Sequence, residues 1–210
     1  PVLTTMYNPM KWQTRGGGQT LFTSGVKALE RLETDLIDEL RECVVAYMRS
    51  PNDEYPDESR RINSGPSHMT DDGTRRVGFG ADPHDASAGL RDFTLTHEHA
   101  IGGGRHPCIY RHPVTGQESL YVSPCKSVYL LDATSGEMRH DIEETVELLS
   151  KALWPSAKKG VRYEHHWKEG DFVAWLNTLT LHSATDPVDI EGSRLMHRVR
   201  LSTPIAEKCC

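Results

Sequence analysis

A histidine and two arginines near the end of the sequence have the types and spacing for chemistry. His182 lies in the stretch from Phe172 to Arg200, FVAWLNTLTLHSATDPVDIEGSRLMHRVR, where apolar and polar residues alternate around it. Arg194 and Arg198 follow on what reads as a later strand, and their four-residue separation puts both on one side of it. Imidazole is the usual nitrogen ligand of iron, zinc or copper. A guanidinium forks onto a carboxylate through two parallel charge-assisted hydrogen bonds. The three residues therefore suit a metal site beside an anion site inside a β-barrel. A histidine in a strand also serves as a satisfied structural residue, and the pattern alone leaves both roles open.

The elements that must hold these groups are mostly short strands. Pro1 to Tyr7 reads as a strand, and Gly16-Gly17-Gly18 turns into a second one from Thr20 to Thr23. No Gly-Lys-Ser/Thr follows those glycines, which disfavours a phosphate-binding loop. Val26, Leu29, Leu32, Leu36, Leu40 and Val44 recur at three- and four-residue steps and predict a helix from Val26 to Met48. From Pro51 to about Ala88 the chain turns to proline, glycine, serine and charge, which predicts a long loop, either a lid over the barrel mouth or an insertion away from it. His97-x-His99 follows without an acidic or cysteine partner at zinc-like spacing. Strands are expected from Cys108 to Arg111 and from Ser119 to Ser123, around a Thr115-Gly116 turn. Asp141 and Glu144 form a capping-box-like start to a helix from Ile142 to Leu153, stopped by Pro155. A strand from Val161 to Trp167 and a hairpin turn, Lys168 to Asp171, lead into Phe172 to Leu176. Many short strands with two helices predict a mainly β (α+β) chain, a jelly-roll barrel with helices packed outside. The chain has 210 residues and reads as one domain, 1–210, without internal repeats.

Composition narrows the function classes. The net charge is -6, from 24 basic and 30 acidic residues, which argues against nucleic acid as a partner. Mean hydropathy is -0.55, and no apolar run approaches the ~20 residues that span a bilayer. No charged segment followed by an apolar one marks a leader. Cys43, Cys108, Cys125, Cys209 and Cys210 are odd in number and irregularly spaced, which predicts reduced thiols and a cytoplasmic setting.

Several segments are shared in order and spacing with a known family. Gly16-Gly17-Gly18-Gln19-Thr20-Leu21-Phe22 resembles a GGDT segment. His106-Pro107, His112-Pro113-Val114-Thr115-Gly116 and Leu120-Tyr121-Val122 resemble an HP…HPxTG…L[YF]VN run. Trp175-x-Asn177-x-x-x-x-His182 and Arg194-Leu195-Met196-His197-Arg198 resemble a C-terminal signature. Together they resemble the TauD/TfdA family of iron(II)- and 2-oxoglutarate-dependent dioxygenases, over nearly the whole chain except about 52–100. The resemblance implies a double-stranded β-helix, Fe(II), 2-oxoglutarate as co-substrate, and O2 with a small anionic organic substrate as partners. Succinate and CO2 would be the co-products. It implies His182 as a metal ligand, Thr20 and Arg194 on the distal carboxylate of 2-oxoglutarate, and Arg198 on the substrate's anion. Homo-oligomer formation stays open.

The family's His-x-Asp pair of iron ligands has no counterpart between Pro1 and Thr20. The expectation is a partial domain, truncated before those ligands and inactive by itself. The family's WDNR is Trp175-Leu176-Asn177-Thr178 here, Leu181 stands before the histidine, and one extra residue separates His182 from Arg194. These departures bear on the substrate more than on the reaction class. The alternative is a non-catalytic jelly roll that binds a dicarboxylate through Arg194 and Thr20 without iron.

Overall fold

A computed structural model describes residues 2–47, 67–69, 75–77, 100, 103–123, 127–158, 160–184 and 191–201. Two three-stranded antiparallel sheets carry Thr20, His182 and Arg198. One has the order β12 (Phe172–Leu176), β1 (Leu3–Tyr7), β14 (His197–Leu201). The other has the order β11 (Tyr163–His165), β2 (Thr20–Ser24), β13 (Thr180–Ala184).

Directly paired residues share a face, and alternate residues along a strand share it too. In the first sheet Thr4 pairs with Trp175 and Arg200, and Met6 pairs with Val173 and Arg198. These six side chains form one face. Leu3, Thr5 and Tyr7 form the other, with Phe172, Ala174, Leu176, His197, Val199 and Leu201. In the second sheet Thr20 pairs with His165 and Ala184, and Phe22 pairs with Tyr163 and His182. The two faces meet through aromatic rings. Trp175 lies edge-on to Phe22 at 5.2 Å between centroids and 5.0 Å from the His182 ring. The opposite face of the second sheet holds Leu21 and Leu181, and both join the buried core.

That core continues into a four-stranded sheet, β10 (Met138–His140), β9 (Ser127–Asp132), β3 (Cys43–Tyr47) and β6 (Arg105–Pro107). Val45, Leu130 and Leu149 are fully buried there and in the adjoining helix. The pair β7 (Ile109–Arg111) and β8 (Glu118–Leu120) closes around the Thr115-Gly116 turn, with Gly116 at a φ of 72°. Two backbone N–H groups of that turn donate to His112 Nδ1. Among the described residues no helix is long and apolar enough to cross a membrane.

Several expectations change. The helix expected from Val26 to Met48 is two short helices and a strand. They are α1 (Gly25–Leu29), capped by the Ser24 side chain, α2 (Thr34–Arg41) and then β3. The run Cys43-Val44-Val45-Ala46-Tyr47 is rich in β-branched and aromatic residues, and pairing with β9 and β6 decides its conformation. The helix after Asp141 has the expected capping box, but α3 (Ile142–Ala157) runs through Pro155. Burial of Ala152, Leu153, Ser156 and Ala157 holds its last turn against the core despite the missing N–H. The turn Lys168 to Asp171 is tight, with Gly170 at a φ of 85°, yet it is no hairpin. β11 pairs with β2 and β12 with β1, so the turn passes the chain from one sheet to the other. Most of 51–88, and with it the expected lid, lies outside the described residues, as does His97-x-His99. The exception is a strand pair, β4 (Ser67–Met69) with β5 (Arg75–Val77), which replaces a structureless loop there. β5 lies against β13.

Candidate functional site

His182 stands in the middle of β13 and is exposed, with its ring beside those of Trp175 and Phe22. The Trp175 ring is fixed by its own hydrogen-bond chain. Trp175 Nε1 donates to Asn177 Oδ1 at 3.0 Å, and Asn177 Nδ2 donates to Thr4 Oγ1 at 2.8 Å. Thr4 is fully buried, so the chain ties β12 to β1 and holds one wall of the imidazole's setting.

Thr20 lies on the same face of β2, two residues before Phe22. Its Oγ1 accepts a hydrogen bond from Trp167 Nε1 at 3.0 Å, and both residues are buried. An indole only donates, whereas a hydroxyl has one proton to give and two lone pairs. With Trp167 on a lone pair, the Thr20 proton remains available to an acceptor. His165, opposite Thr20, packs edge-on against Trp167 at 4.5 Å between centroids. Its Nε2 lies 3.2 Å from Asp171 Oδ2, and its Nδ1 lies 3.1 Å from the Tyr163 hydroxyl.

Arg194 sits three residues ahead of β14 in irregular backbone, so it does not share a strand face with Arg198 as the spacing predicts. Its Nη2 donates to the Gly18 carbonyl at 3.4 Å, and its guanidinium stacks over Trp12 at 4.8 Å. Gly17 and Gly18 have φ values of 72° and 76°, where side chains are strained; this is why glycines stand at this turn. The half-buried Arg194 is thus brought to the segment that leads, two residues on, into Thr20. Arg198 lies on the inner face of β14. As a residue it is exposed, yet enough protein surrounds its head group that burial, and then the Arg200 guanidinium, lowers its pKa. It stays a cation at neutral pH.

The donor set suits a dicarboxylate: one guanidinium and one hydroxyl with a proton to give, both partly or wholly buried. For iron(II) His182 offers one imidazole nitrogen. Among the described residues the only group of three ligand-type side chains within 4.8 Å of one another is Glu39, Cys43 and His140, in and beside the four-stranded sheet. Its carboxylate is already engaged, with Arg139 Nε donating to Oε1 at 2.8 Å and His140 Nε2 lying 2.7 Å away. Burial and the nearby Glu39 push the Cys43 thiol up to about 11. Cys43 and Cys108 are free thiols, as the cysteine spacing predicts for these two.

Sequence reading missed Trp12, Trp167 and Arg200. Trp12 and Trp167 carry no local pattern, because their partners lie 182 and 147 positions away. Arg200 had a readable signal, since two residues after Arg198 in a strand is the same face.

Solved structures place the architecture. The chain superposes on a taurine dioxygenase from Burkholderia xenovorans with a TM-score of 0.56, at 18% identity over 94% of this chain and 51% of that one. It superposes on AAD-2, solved with Mn(II) and N-oxalylglycine, with a TM-score of 0.57, at 19% identity over 94% of this chain and 61% of the other. The fold is therefore the jelly-roll-like β fold of these dioxygenases. The profile of the taurine catabolism dioxygenase TauD, TfdA family matches residues 11–200, and the chain belongs to that family. Among curated relatives, the alpha-ketoglutarate-dependent xanthine dioxygenase xan-1 of Neurospora crassa is 30% identical over 186 residues, 88% of this chain and 40% of that protein. Pentalenolactone F synthase of Streptomyces avermitilis is 27% identical over 187 residues, 88% of this chain and 51% of that protein. The chain thus spans about half the length of the curated relatives it matches.

Proposed function

We propose that this chain is the co-substrate- and substrate-binding part of an Fe(II)- and 2-oxoglutarate-dependent dioxygenase that oxidises a small anionic organic molecule. In this reading His182 is a metal ligand, Arg194 and Thr20 hold the distal carboxylate of 2-oxoglutarate, and Arg198 holds the substrate's anion. Iron with 2-oxoglutarate and O2 supplies the oxidising power, with succinate and CO2 as co-products. The chain's own groups bind, orient and exclude water. Thr20 gives its hydroxyl proton to the carboxylate while Trp167 occupies a lone pair, and Arg194 supplies the compensating charge.

The observation that carries the reading is the placement of Arg194 on Gly18, at the entry to the strand that bears Thr20 and beside the strand that bears His182. It gains weight from the names of the relatives, several of which are alpha-ketoglutarate-dependent by their own descriptions. Calorimetry of 2-oxoglutarate binding with and without Fe(II), followed by succinate detection in air, tests it when done on a longer protein that carries the His-x-Asp pair ahead of this chain. Binding that Fe(II) tightens, with succinate formed, supports the dioxygenase. Binding indifferent to Fe(II) and without succinate favours the alternative, a dicarboxylate-binding jelly roll. No binding at all defeats both.

A further inference from the structure

Two guanidinia stand side by side on the inner wall of the barrel, and only Arg198 has a role so far. Arg198 and Arg200 are alternate residues of β14, so they share a face, with Cα atoms about 7 Å apart. Register fixes which face. Arg200 pairs with Thr4, and Thr4 pairs on its other side with Trp175, the ring that abuts His182. Arg200 is thus level with the Trp175–His182 contact, two strands away across the sheet. Arg198 is one row further along, level with Met6 and Val173.

Three arginines elsewhere in the described residues have carboxylates, while Arg31 and Arg194 donate to backbone carbonyls. Arg41 has Glu118, Arg139 has Glu39, Glu42 and Asp132, and Arg162 has Glu164. Among the described residues neither Arg198 nor Arg200 has one within 4.0 Å. Like charges set together on a partly buried face cost free energy unless an anion joins them. The pKa of Arg198, held down by burial and by Arg200, fits that picture.

We propose that Arg198 and Arg200 together form a dianion site, so that the substrate of this barrel carries a doubly ionised head group of the phosphonate or phosphate-monoester kind. The inference rests on reading the barrel interior as the substrate chamber. A sulfonate or single carboxylate would satisfy one guanidinium and leave the other uncompensated. A PO3 dianion has three acceptor oxygens and two charges for two forked donors.

Methylphosphonate and methanesulfonate separate the possibilities, being nearly the same size and shape but differing in charge. Their affinities are measured by calorimetry above the second ionisation of the phosphonate, with 2-oxoglutarate as a separate titrant. The expected result is methylphosphonate binding roughly 10-fold or more tighter than methanesulfonate, since each added bond to a charged group is worth ~1.5–3 kcal/mol. Arg200→Gln should bring the two probes level and leave 2-oxoglutarate affinity unchanged, while Arg200→Lys restores part of the preference. Circular dichroism establishes that the variants fold. A wild-type chain that binds both probes equally, or neither, overturns the proposal, as does an Arg200→Gln variant that keeps the preference. If the preference holds but 2-oxoglutarate fails to bind, the co-substrate reading falls and the twin-arginine site stands.

Discussion

The four-stranded sheet and the inner wall of the barrel treat charge in opposite ways. Around β9, β10 and α2, one cation is shared by three acids. Arg139 reaches Glu39 at 2.8 Å, Glu42 at 2.8 Å and Asp132 at 3.2 Å, while His140 lies 2.7 Å from Glu39. That region also holds the only metal-like trio among the described residues, and its composition alone would mark it as a site. Geometry says otherwise, because a metal would have to displace a guanidinium already bonded to both oxygens of Glu39. On the barrel wall, Arg198 and Arg200 face the Trp175–His182 corner without a carboxylate among the described residues. Ligand-type residues with their partners in place hold a fold together, and the same residues without partners mark where something binds.

The largest effect that separates the two regions should come from Arg194→Ala. It removes the charge beside Thr20 and should weaken 2-oxoglutarate binding roughly 100-fold, as expected for losing about two charge-assisted bonds. Arg198→Ala should leave that affinity nearly unchanged and act on the anionic substrate instead. A larger loss for Arg198→Ala in the same titration would exchange the two roles. The next effect concerns the strand pair β4–β5, whose second strand lies against β13. If it covers the barrel mouth, 2-oxoglutarate with a bound anion should slow tryptic cleavage at Arg75 and Arg76 about 10-fold by favouring the closed state. Cleavage that ligands leave untouched would assign the segment to an insertion away from the site. A smaller effect is expected from Trp167→Phe, which keeps the packing but removes the N–H that Thr20 accepts. Co-substrate affinity should fall about 3- to 10-fold, the worth of one neutral hydrogen bond, with little change in melting temperature. A drop in melting temperature with unchanged affinity would make Trp167 a packing residue only.

What the sequence disclosed follows the range of the interactions. The Asp141–Glu144 capping box is complete within four residues, and both of its hydrogen bonds form, at 3.0 and 3.1 Å. The alternation around His182 is equally local, and it places the histidine on one sheet face with Thr20 and Phe22. The stretch Cys43 to Tyr47 was misread because its apolar residues continue the three- and four-residue steps of α2. Only pairing with β9 and β6, which lie some 60 to 90 positions away, makes it a strand. Pro155 reads as a stop by a local rule, but Ser156 and Ala157 beyond it are buried against the core and keep the turn helical. The Arg194–Trp12 stack joins opposite ends of the described chain, and no spacing rule reaches that far.

The smallest expected effect tests the satisfied side of the comparison. Hydrogen bonds from Arg139, and next from His140, hold the Glu39 carboxyl below its ordinary value of 4.5 despite the opposing pull of burial. A carboxyl whose pKa is lower folded than unfolded gives stability that is complete above the unfolded value, and loses it as pH falls through the folded value. Glu39→Gln should therefore melt below the wild type at neutral pH, and the gap should close progressively once pH drops under about 4.5. Asp132 and Glu118 are lowered as well, so the wild type's acid sensitivity should lessen in the variant without vanishing. A gap that stays constant with pH would mean that Glu39 contributes by packing rather than by charge. Added Zn(II) gives the complementary readout. It should leave the wild-type melting temperature where it is, because Arg139 already occupies the carboxylate that a Glu39–Cys43–His140 centre would need. A rise in melting temperature with zinc, abolished in Glu39→Gln, would turn this sheet from a structural charge cluster into a metal site and dissolve the contrast with the barrel wall.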